Sequence, residues 1–570
     1  MSVLNPFKLR SRNAAAPAAG IQVRAQSGSV RSRSRILLAM GVVFAVYGAI
    51  GGRLVQLGMT GEPVVALPQT RPTASRPDIL DRNGQVLATD IKTASLFAEP
   101  RRIVDIDEAI EKLQTVLPDL DYTQTYRKLD SQAGFVWLRR QLSPRQQADI
   151  LALGIPGLGF RTEKRRFYPG GSTASHILGL VNIDNKGIAG MEKYIDDQGL
   201  ADLQALGLAG PDTLEPVRLS IDLRAQHVLH DELADALERY HAVAAAGAVI
   251  NARTGEIVAM ASLPDYDPNN PFNALEKDRL NRVSAGVFEM GSTFKLFTTA
   301  MALDSGKVGL NSSFDASKPM RIGGFTINDF HGKRRVLTVP EIFIYSSNIG
   351  TAKMAEVIGV EGHRAFLKKA GLLDRMQTEL PEVATPTEPK EWKRLHSITI
   401  SYGHGVATTP LQTAVAAAAM VNGGKLFPPT FLPRTEDEAM QVATQVISPE
   451  TSAKIRYLFR LNVEKGSGSR AEAQGYYVGG KTGTAEKVVN GRYSNNKRFN
   501  AFIAAFPSND PEYIVAIVVD EPEPERPGIG ATSGLNAAPV AGNVIRRTAA
   551  LLGVEPDFSH ESGALLVSYQ

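Results

Sequence analysis

Ser292 and Lys295 stand three residues apart in GSTFK, where the flanking apolar pattern predicts that a helix begins. A capping box would carry Glu or Gln at the second position, because an acid suits the positive N-terminus of a helix. The positive end of the helix dipole disfavours the charged form of a lysine at that position, so the neutral amine forms more easily. Such an amine can take the proton of a serine hydroxyl one turn away. The pair therefore predicts a serine nucleophile, Ser292, with Lys295 as its base.

The Ser-x-x-Lys pattern alone is weak evidence. Ser494 and Lys497 form a second match, for which we predict a polar loop between strands and no role. An isolated serine at the start of a helix is also more often an N-cap than a nucleophile. The case for catalysis at Ser292 therefore depends on what accompanies it along the chain.

Two further motifs follow Ser292 in order. YSSNIG supplies Ser346 and Asn348, and GGKTGTA supplies Lys481. Taken singly, Ser346 is as readily a helix cap and Lys481 a solvated strand residue. Taken together, Ser346 can pass a proton between Lys295 and a leaving nitrogen, and Asn348 offers a donor and an acceptor to a peptide amide. The three motifs in this order predict a catalytic site for acyl transfer.

The strand of the third motif is predicted to bind substrate. Lys481, Thr482 and Thr484 offer a cation and two hydroxyls, which suit a substrate that ends in a carboxylate. Gly483 is predicted to let the substrate backbone approach this strand as an added strand would. Backbone N–H groups of Ser292 and Thr484 are the candidates for holding the oxyanion.

Composition excludes several other classes of protein. The 570 residues are too many for one core, and we expect two folded bodies. The net charge of +4 comes from a basic tail, residues 1–35, which contains no acid, so a nucleic-acid-binding body is not expected. There is no cysteine, and the nine histidines have no metal-ligand spacing, so we predict neither a metal nor a cofactor.

An uncharged run from Ile36 to Gly52, nearly extended to Met59, predicts a membrane anchor at residues 36–59. A cleaved signal peptide is the alternative, but 35 residues ahead of the run fit it poorly. By the positive-inside rule the basic tail, residues 1–35, is cytoplasmic. The rest of the chain is then expected in the periplasm, on a single-pass protein of the inner membrane.

Two changes in composition divide the remaining chain. We predict a pedestal domain of mixed hairpins and helices at 60–215, a catalytic domain at 216–555 and a C-terminal tail at 556–570. Within the catalytic domain a helix, a hairpin, more helices, three strands and a last helix follow one another. This order predicts a mixed α/β (α+β) fold, with an antiparallel sheet flanked by helices.

Local signals place some boundaries inside these domains. Asp222 and Thr409 are predicted helix N-caps, the latter followed by proline as the first helical residue. Gly84 and Gly255 each stand between two apolar runs, which predicts hairpins with two-residue turns.

At the three motifs the sequence closely resembles the class B penicillin-binding proteins, the monofunctional D,D-transpeptidases that crosslink peptidoglycan. RPDILDRNGQVLA, RRFYPGGSTASHILG, GIAGMEKYID and NRVSAGVFEMGSTFK also resemble that family's segments in its order, from about residue 36 to 553. The length and KTGTAEKVVNGRY look most like the division-specific FtsI type, also called penicillin-binding protein 3. That family carries no glycosyltransferase domain of its own.

The resemblance implies a penicillin-binding transpeptidase fold on a pedestal domain, without a cofactor. Ser292 would attack the penultimate D-Ala carbonyl of a stem pentapeptide and expel the terminal D-Ala. An amine of a neighbouring stem would then accept the acyl group, and β-lactams would mimic the donor and leave a stable acyl-enzyme. The anchor and pedestal would bind the glycan polymerase FtsW and other divisome proteins at the division site.

Two segments depart from the family pattern. Met290 stands where the family commonly has proline, which is expected to alter the loop entering the helix but none of the catalytic groups. Thr532–Val540, TSGLNAAPV, matches only loosely.

Other functions remain open at this stage. A serine β-lactamase shares the motifs but must turn penicillin over, and a D,D-carboxypeptidase uses water as acceptor. An elongation-type transpeptidase differs by its place in the cell. A non-catalytic divisome scaffold would tolerate loss of Ser292.

Overall fold

The computed structural model describes residues 40–53, 76–199, 214–489 and 491–559. Residues 40–53 form one helix. Within the described ranges, no helix combines the length and the apolar character that a membrane span requires. The predicted basic tail and both ends of the predicted anchor lie outside the described residues.

Residues 76–199 are built around one long strand, β2, which pairs antiparallel with β1, β3 and β4. The strands are β1 Ile79–Leu80, β2 Val86–Ala98, β3 Val136–Leu142, β4 Leu158–Phe167, β5 Leu180–Val181 and β6 Gly187–Ala189. The α-helices are Ile106–Val116, Tyr122–Leu129, Pro144–Ala152, Ser175–Leu178 and Gly190–Asp197. The first three helices enclose a small hydrophobic core with β2 and β3.

A second hydrophobic core joins the start of this segment to the rest of the chain. β1 pairs in parallel with β7, Val217–Arg218. Ile79, Leu87 and Leu219 belong to the same buried cluster as Phe297 on the helix that follows Ser292. The hydrophobic core is therefore continuous across residue 215, and the predicted domain limits stay a prediction.

The central sheet of the C-terminal part has the order β16-β17-β18-β8-β9, and every neighbouring pair is antiparallel. Its strands are β8 Ala244–Asn251, β9 Ile257–Leu263, β16 Gly479–Val489, β17 Arg492–Phe506 and β18 Tyr513–Asp520. All of β18 is buried, and its alternate residues enter two different hydrophobic clusters, one on each face. The sheet is therefore a central layer covered on both faces, as the predicted mixed α/β architecture requires.

Helices supply the two covering layers. They are Leu223–Arg239, Lys295–Asp304, Val339–Ile344, Asn348–Ile358, Val360–Lys369, Arg394–Ser401, Pro410–Val421, Glu436–Val442, Pro449–Lys465 and Ala537–Thr548. Short strands form ribbons between them, namely β10 Ser313–Asp315 with β13 Val336–Thr338, β11 Met320–Ile322 with β12 Phe325–Ile327, and β14 Lys425–Leu426 with β15 Thr444–Gln445. Both predicted N-caps are confirmed, because the side chains of Asp222 and Thr409 accept hydrogen bonds from backbone N–H groups of their helices.

The two predicted hairpins exist, but their turns are longer than two residues. Residues 81–85 connect β1 to β2, and residues 252–256 connect β8 to β9. In the first turn Asp81 Oδ1 accepts hydrogen bonds from the backbone N–H groups of Asn83 and Gln85. Asn251 does the same for Arg253 and Thr254 in the second. Hydrogen bonds from the backbone to side chains stabilise both longer turns. The two glycines alone did not indicate these hydrogen bonds.

The prediction of a loop at Ser494 and Lys497 is wrong. Both residues lie inside β17, where the register of the β16–β17 hairpin shifts between Glu486 and Val488 before pairing ends at Val489 and Arg492.

Candidate active site

Ser292 lies in a single 3₁₀ turn, Gly291–Phe294, and the α-helix proper begins at Lys295. The predicted start of the α-helix at Ser292 is therefore too early by one turn. The Ser292 side chain caps neither element, and it is half-buried at the wall of a cleft of about 550 Å³. A serine hydroxyl that is not used as a cap and faces a cleft is available to a substrate.

Three segments meet backbone to backbone around this turn. Gly291 has φ +54°, and a Cβ added there would lie 2.7 Å from the carbonyl oxygen of Thr484. Gly403 has φ +98°, and its added Cβ would lie 1.8 Å from the carbonyl oxygen of Gly291. Any larger residue at either position would push the serine turn away from β16 or from the 402–405 segment.

Gly483 contacts the serine turn as well. A Cβ at Gly483 would lie 2.4 Å from the carbonyl oxygen of Met290. The side of Gly483 where a side chain would lie is thus filled by the protein's own turn, and the approach of a substrate backbone to this strand stays a prediction. Met290 itself has φ −84°, near the roughly −65° that proline imposes, so its departure from the family pattern does not require a different backbone.

Ser346 lies between the helices Val339–Ile344 and Asn348–Ile358 with φ +55°. This left-handed conformation is costly for a serine, by roughly 1 to 2 kcal/mol, and such strain concentrates at functional sites. The N-cap of the second helix is Ser347 rather than Ser346. The Asn348 side chain donates a hydrogen bond to the carbonyl oxygen of Asn328 at 2.9 Å. Ser346 is therefore free of the capping role that the sequence left open.

Asp329 fixes this turn from a neighbouring loop. Its Oδ2 accepts a hydrogen bond of 2.7 Å from the Ser347 hydroxyl, and its Oδ1 accepts one of 3.0 Å from the backbone N–H of Ile349. The carboxylate thereby holds the first turn of the helix in place beside Ser346.

Two buried lysines converge on Ser346. Lys295 Nζ lies 3.0 Å from Ser346 Oγ and 2.5 Å from its carbonyl oxygen. Lys481 Nζ lies 3.2 Å from the same Oγ, with the ring of Phe343 at 5.6 Å. Among the described residues no hydrogen bond joins Ser292 Oγ to Lys295. The structure thus brings Lys295, Ser346 and Lys481 into direct contact, while Ser292 stands on the turn that precedes Lys295.

Burial changes the protonation of both lysines. It lowers the pKa of Lys295 well below its usual value, and the positive charge of Lys481 lowers this pKa further, whereas Asp329 opposes the shift. Burial lowers the pKa of Lys481 to about 7. The pair therefore holds at least one amine that is easily neutral near pH 7, as a general base requires.

β16 forms one wall of the cleft, and its residues alternate between two environments. Thr482 and Thr484 line the cleft, whereas Lys481 is fully buried and faces Ser346. Thr482 Oγ1 lies 2.5 Å from Ser467 Oγ, and Thr484 Oγ1 accepts a hydrogen bond of 3.1 Å from the backbone N–H of Ser533. Both threonines predicted to meet substrate thus line the cleft, but the predicted cation does not.

Several lining residues were not identified from the sequence. They are Tyr402, His404, Arg470, Glu486 and Arg498. Glu486 and Arg498 face each other across the β16–β17 ladder, so strand alternation beyond the third motif could have indicated them. Nothing local in the sequence marks Tyr402 and His404, which flank Gly403, the residue that packs on Gly291.

Comparison with known proteins decides the family. Residues 245–546 match the penicillin binding protein transpeptidase domain, and residues 71–210 match the penicillin-binding protein dimerisation domain. The chain belongs to the penicillin-binding proteins. Both domain matches lie in the order that the sequence resemblance implied.

Three relatives of this penicillin-binding protein are informative. The probable peptidoglycan D,D-transpeptidase FtsI of Caulobacter vibrioides is 39% identical over 493 residues, 84% of this chain and 82% of the relative. The probable peptidoglycan D,D-transpeptidase PenA of Neisseria meningitidis serogroup A is 34% identical over 556 residues, 92% and 93% of the two chains. The peptidoglycan D,D-transpeptidase FtsI of Escherichia coli K12 is 28% identical over 511 residues, 85% of each chain.

Proposed function

We propose that this penicillin-binding protein is a peptidoglycan D,D-transpeptidase of the class B division type, which crosslinks stem peptides through a serine acyl-enzyme. The observation that carries the proposal is the convergence of Lys295 and Lys481 on Ser346 Oγ beside a cleft that Ser292 lines. The names of the relatives, FtsI and PenA peptidoglycan D,D-transpeptidases, supply the substrate and the division role.

Acylation begins at Ser292. Neutral Lys295 takes the hydroxyl proton, and Oγ attacks the carbonyl carbon of the penultimate D-Ala to form an ester. The C–N bond to the terminal D-Ala breaks, and Ser346 relays a proton from the lysine pair to the leaving nitrogen. The backbone N–H groups of Ser292 and Thr484 hold the oxyanion while it exists.

Substrate recognition falls to the two walls of the cleft. Asn348 offers its amide to the donor peptide, and the hydroxyls of Thr482 and Thr484 bind its terminal carboxylate. The backbone of Gly483 belongs to the same wall. The buried side chain of Lys481 lies on the other face of β16 and contributes positive charge to the site. Its pKa of about 7 leaves it partly protonated near neutral pH.

The cellular setting is a further part of the proposal. Residues 36–59 anchor the chain in the inner membrane, with residues 1–35 in the cytoplasm and the pedestal and catalytic domains in the periplasm. The pedestal, 60–215, and the anchor bind FtsW and other divisome proteins at the septum. β-Lactams acylate Ser292 as analogues of the donor peptide.

The competing functions are not favoured. A β-lactamase or D,D-carboxypeptidase does not account for the dimerisation-domain match at 71–210 or for relatives named as D,D-transpeptidases. The FtsI names of the relatives favour a division role over elongation.

Acyl transfer is tested with the full chain purified in detergent, a D-alanyl thioester donor and a primary amine acceptor. The proposal predicts an amide product whose yield rises with acceptor concentration, and none from Ser292→Ala. Formation of hydrolysis product alone at every acceptor concentration would contradict it and indicate a carboxypeptidase.

A further inference from the structure

A hydrogen-bonded carboxylate–imidazole pair lies beside the serine turn and takes no step in the proposed acylation, and its imidazole, His404, lines the cleft. His404 Nδ1 lies 3.1 Å from Glu289 Oε2, and the two side chains are 26% and 20% exposed. Both flank the contact between Gly403 and Gly291, the residue directly before Ser292. The pair is therefore built onto the same turn that carries the nucleophile.

The hydrogen bonds decide which imidazole nitrogen can act on a substrate. An ionised carboxylate only accepts, so Nδ1 of His404 carries the proton that it donates to Glu289. In the neutral ring Nε2 is then the acceptor, and His404 lines the cleft. The carboxylate thus orients the ring and stabilises the imidazolium that a proton transfer would create, as in other carboxylate–histidine pairs.

Glu289 is itself held in place from three directions. Its Oε1 accepts a hydrogen bond of 2.7 Å from the backbone N–H of Gly405 and one of 3.2 Å from the hydroxyl of Tyr493 on β17. The ring of Tyr493 stands edge-on to His404 at 5.4 Å. Three hydrogen bonds leave room for a fourth donor on the carboxylate, which suits an ammonium group.

We propose that Glu289 and His404 form the acceptor site, where the carboxylate binds the ammonium of the incoming amine and Nε2 of His404 takes a proton from it. This inference rests on the proposed transpeptidation. It assigns the binding and first deprotonation of the acceptor to a pair of residues distinct from Lys295 and Ser346.

The acceptor ammonium loses two protons in this step, one to His404 and one through Lys295. The ammonium loses one proton to His404, which passes it to solvent. The neutral amine nitrogen then forms a bond to the ester carbonyl carbon of the acyl-enzyme. The C–Oγ bond to Ser292 breaks as the second proton moves from the nitrogen, through Lys295, to Oγ. An amide and the free serine hydroxyl result.

The test measures how much an amine accelerates turnover of the donor. The full chain in detergent receives a D-alanyl thioester, and thiol release is followed while D-alanine is raised as the acceptor. His404→Phe should reduce the acceptor-dependent rate at least tenfold, since general-base catalysis typically contributes about a hundredfold or more. Glu289→Gln should raise the D-alanine concentration that gives half the maximal acceleration.

A second carboxylate–imidazole pair provides the matched control. His230 Nε2 lies 2.8 Å from Asp265, and the exposure of these side chains, 21% and 20%, is close to that of the proposed pair. Neither residue lines the cleft. His230→Phe should therefore leave the acceleration by D-alanine unchanged.

The outcomes separate this inference from the proposed function. A penicillin adduct on His404→Phe, with an acceptor-dependent rate within about threefold of the unchanged chain, would overturn the acceptor site and leave the transpeptidase intact. Absence of an adduct on the unchanged chain would instead reject the proposed function. If His404→Phe fails to fold, Glu289→Gln decides, and an unchanged half-saturating concentration would overturn the inference.

Discussion

Lys295 and Lys481 share one hydrogen-bond partner, since their Nζ atoms lie 3.0 and 3.2 Å from the same Oγ of Ser346. Two ammonium groups this close in a buried site repel each other, so the protonation of one lysine depends on that of the other. The protonation state of the two lysines therefore sets the pH at which Ser292 can be activated.

The first prediction concerns the pH dependence of acylation. Below its folded pKa Lys295 is protonated and cannot accept the proton of Ser292, so the acylation rate should fall as pH is lowered. Because that pKa is well below the usual lysine value, the rate should reach its plateau well below pH 10. Lys481→Met removes a positive neighbour and should raise the pKa of Lys295, which shifts the profile to higher pH. Stopped-flow acylation by a fluorescent penicillin measures both profiles.

Lys487→Met provides the control for this shift. Lys487 lies on the same strand but is paired with Asp520 and Glu521 at 2.8 and 2.7 Å. Its removal should not move the profile. A profile that is identical in Lys481→Met and the unchanged chain would show that Lys481 does not influence the base.

The second prediction concerns the stability of the serine turn. Gly403→Ala places a Cβ 1.8 Å from the carbonyl oxygen of Gly291 in a residue with φ +98°. The left-handed backbone costs roughly 1 to 2 kcal/mol, and overpacking adds roughly 1 to 3 kcal/mol. The variant should unfold at lower temperature and acylate more slowly, because the turn must move. Calorimetry and penicillin acylation measure the two effects.

Gly423→Ala separates strain from collision in this experiment. Gly423 has φ +91°, but an added Cβ there meets nothing within 4 Å. It should show only the smaller loss of stability, with acylation unchanged. Equal effects of the two substitutions would refute the proposed collision with Gly291.

The third prediction concerns the loop carboxylate that holds the second motif. Asp329→Ala removes the acceptor for Ser347 and Ile349, so Ser346 and Asn348 should lose their position. Acylation should slow roughly tenfold or more, since small displacements of catalytic groups have large effects on rate. The variant should still bind penicillin covalently at long times. Asp315→Ala, an exposed strand residue on β10, should acylate at the normal rate, and a normal rate in Asp329→Ala would contradict the role.

Much of the architecture followed from local sequence signals. The three successive strands β16, β17 and β18, the helix after them, and the caps Asp222 and Thr409 were predicted correctly because each depends on neighbouring residues. The turn lengths were wrong, because side chains such as Asp81 bond to the backbone there.

Three short motifs predicted the candidate residues of the site, but they did not predict the burial and packing of those residues. The burial of Lys481 depends on Phe343 from a distant segment, and the space beside Gly483 is filled by Met290. His404 lines the cleft next to Gly403, which packs on Gly291 from a distant segment. Such features arise from contacts between segments far apart in the chain, which periodicity and spacing do not encode.

The role of Ser292 as nucleophile is tested most directly by the intact mass of the full chain after incubation with benzylpenicillin. We predict one stable adduct of the mass of the drug on the unchanged chain, because deacylation is slow in a transpeptidase, and no adduct on Ser292→Ala. An adduct that persists in Ser292→Ala would contradict the assignment of the nucleophile. Rapid hydrolysis of the drug without an adduct would contradict the transpeptidase and indicate a β-lactamase.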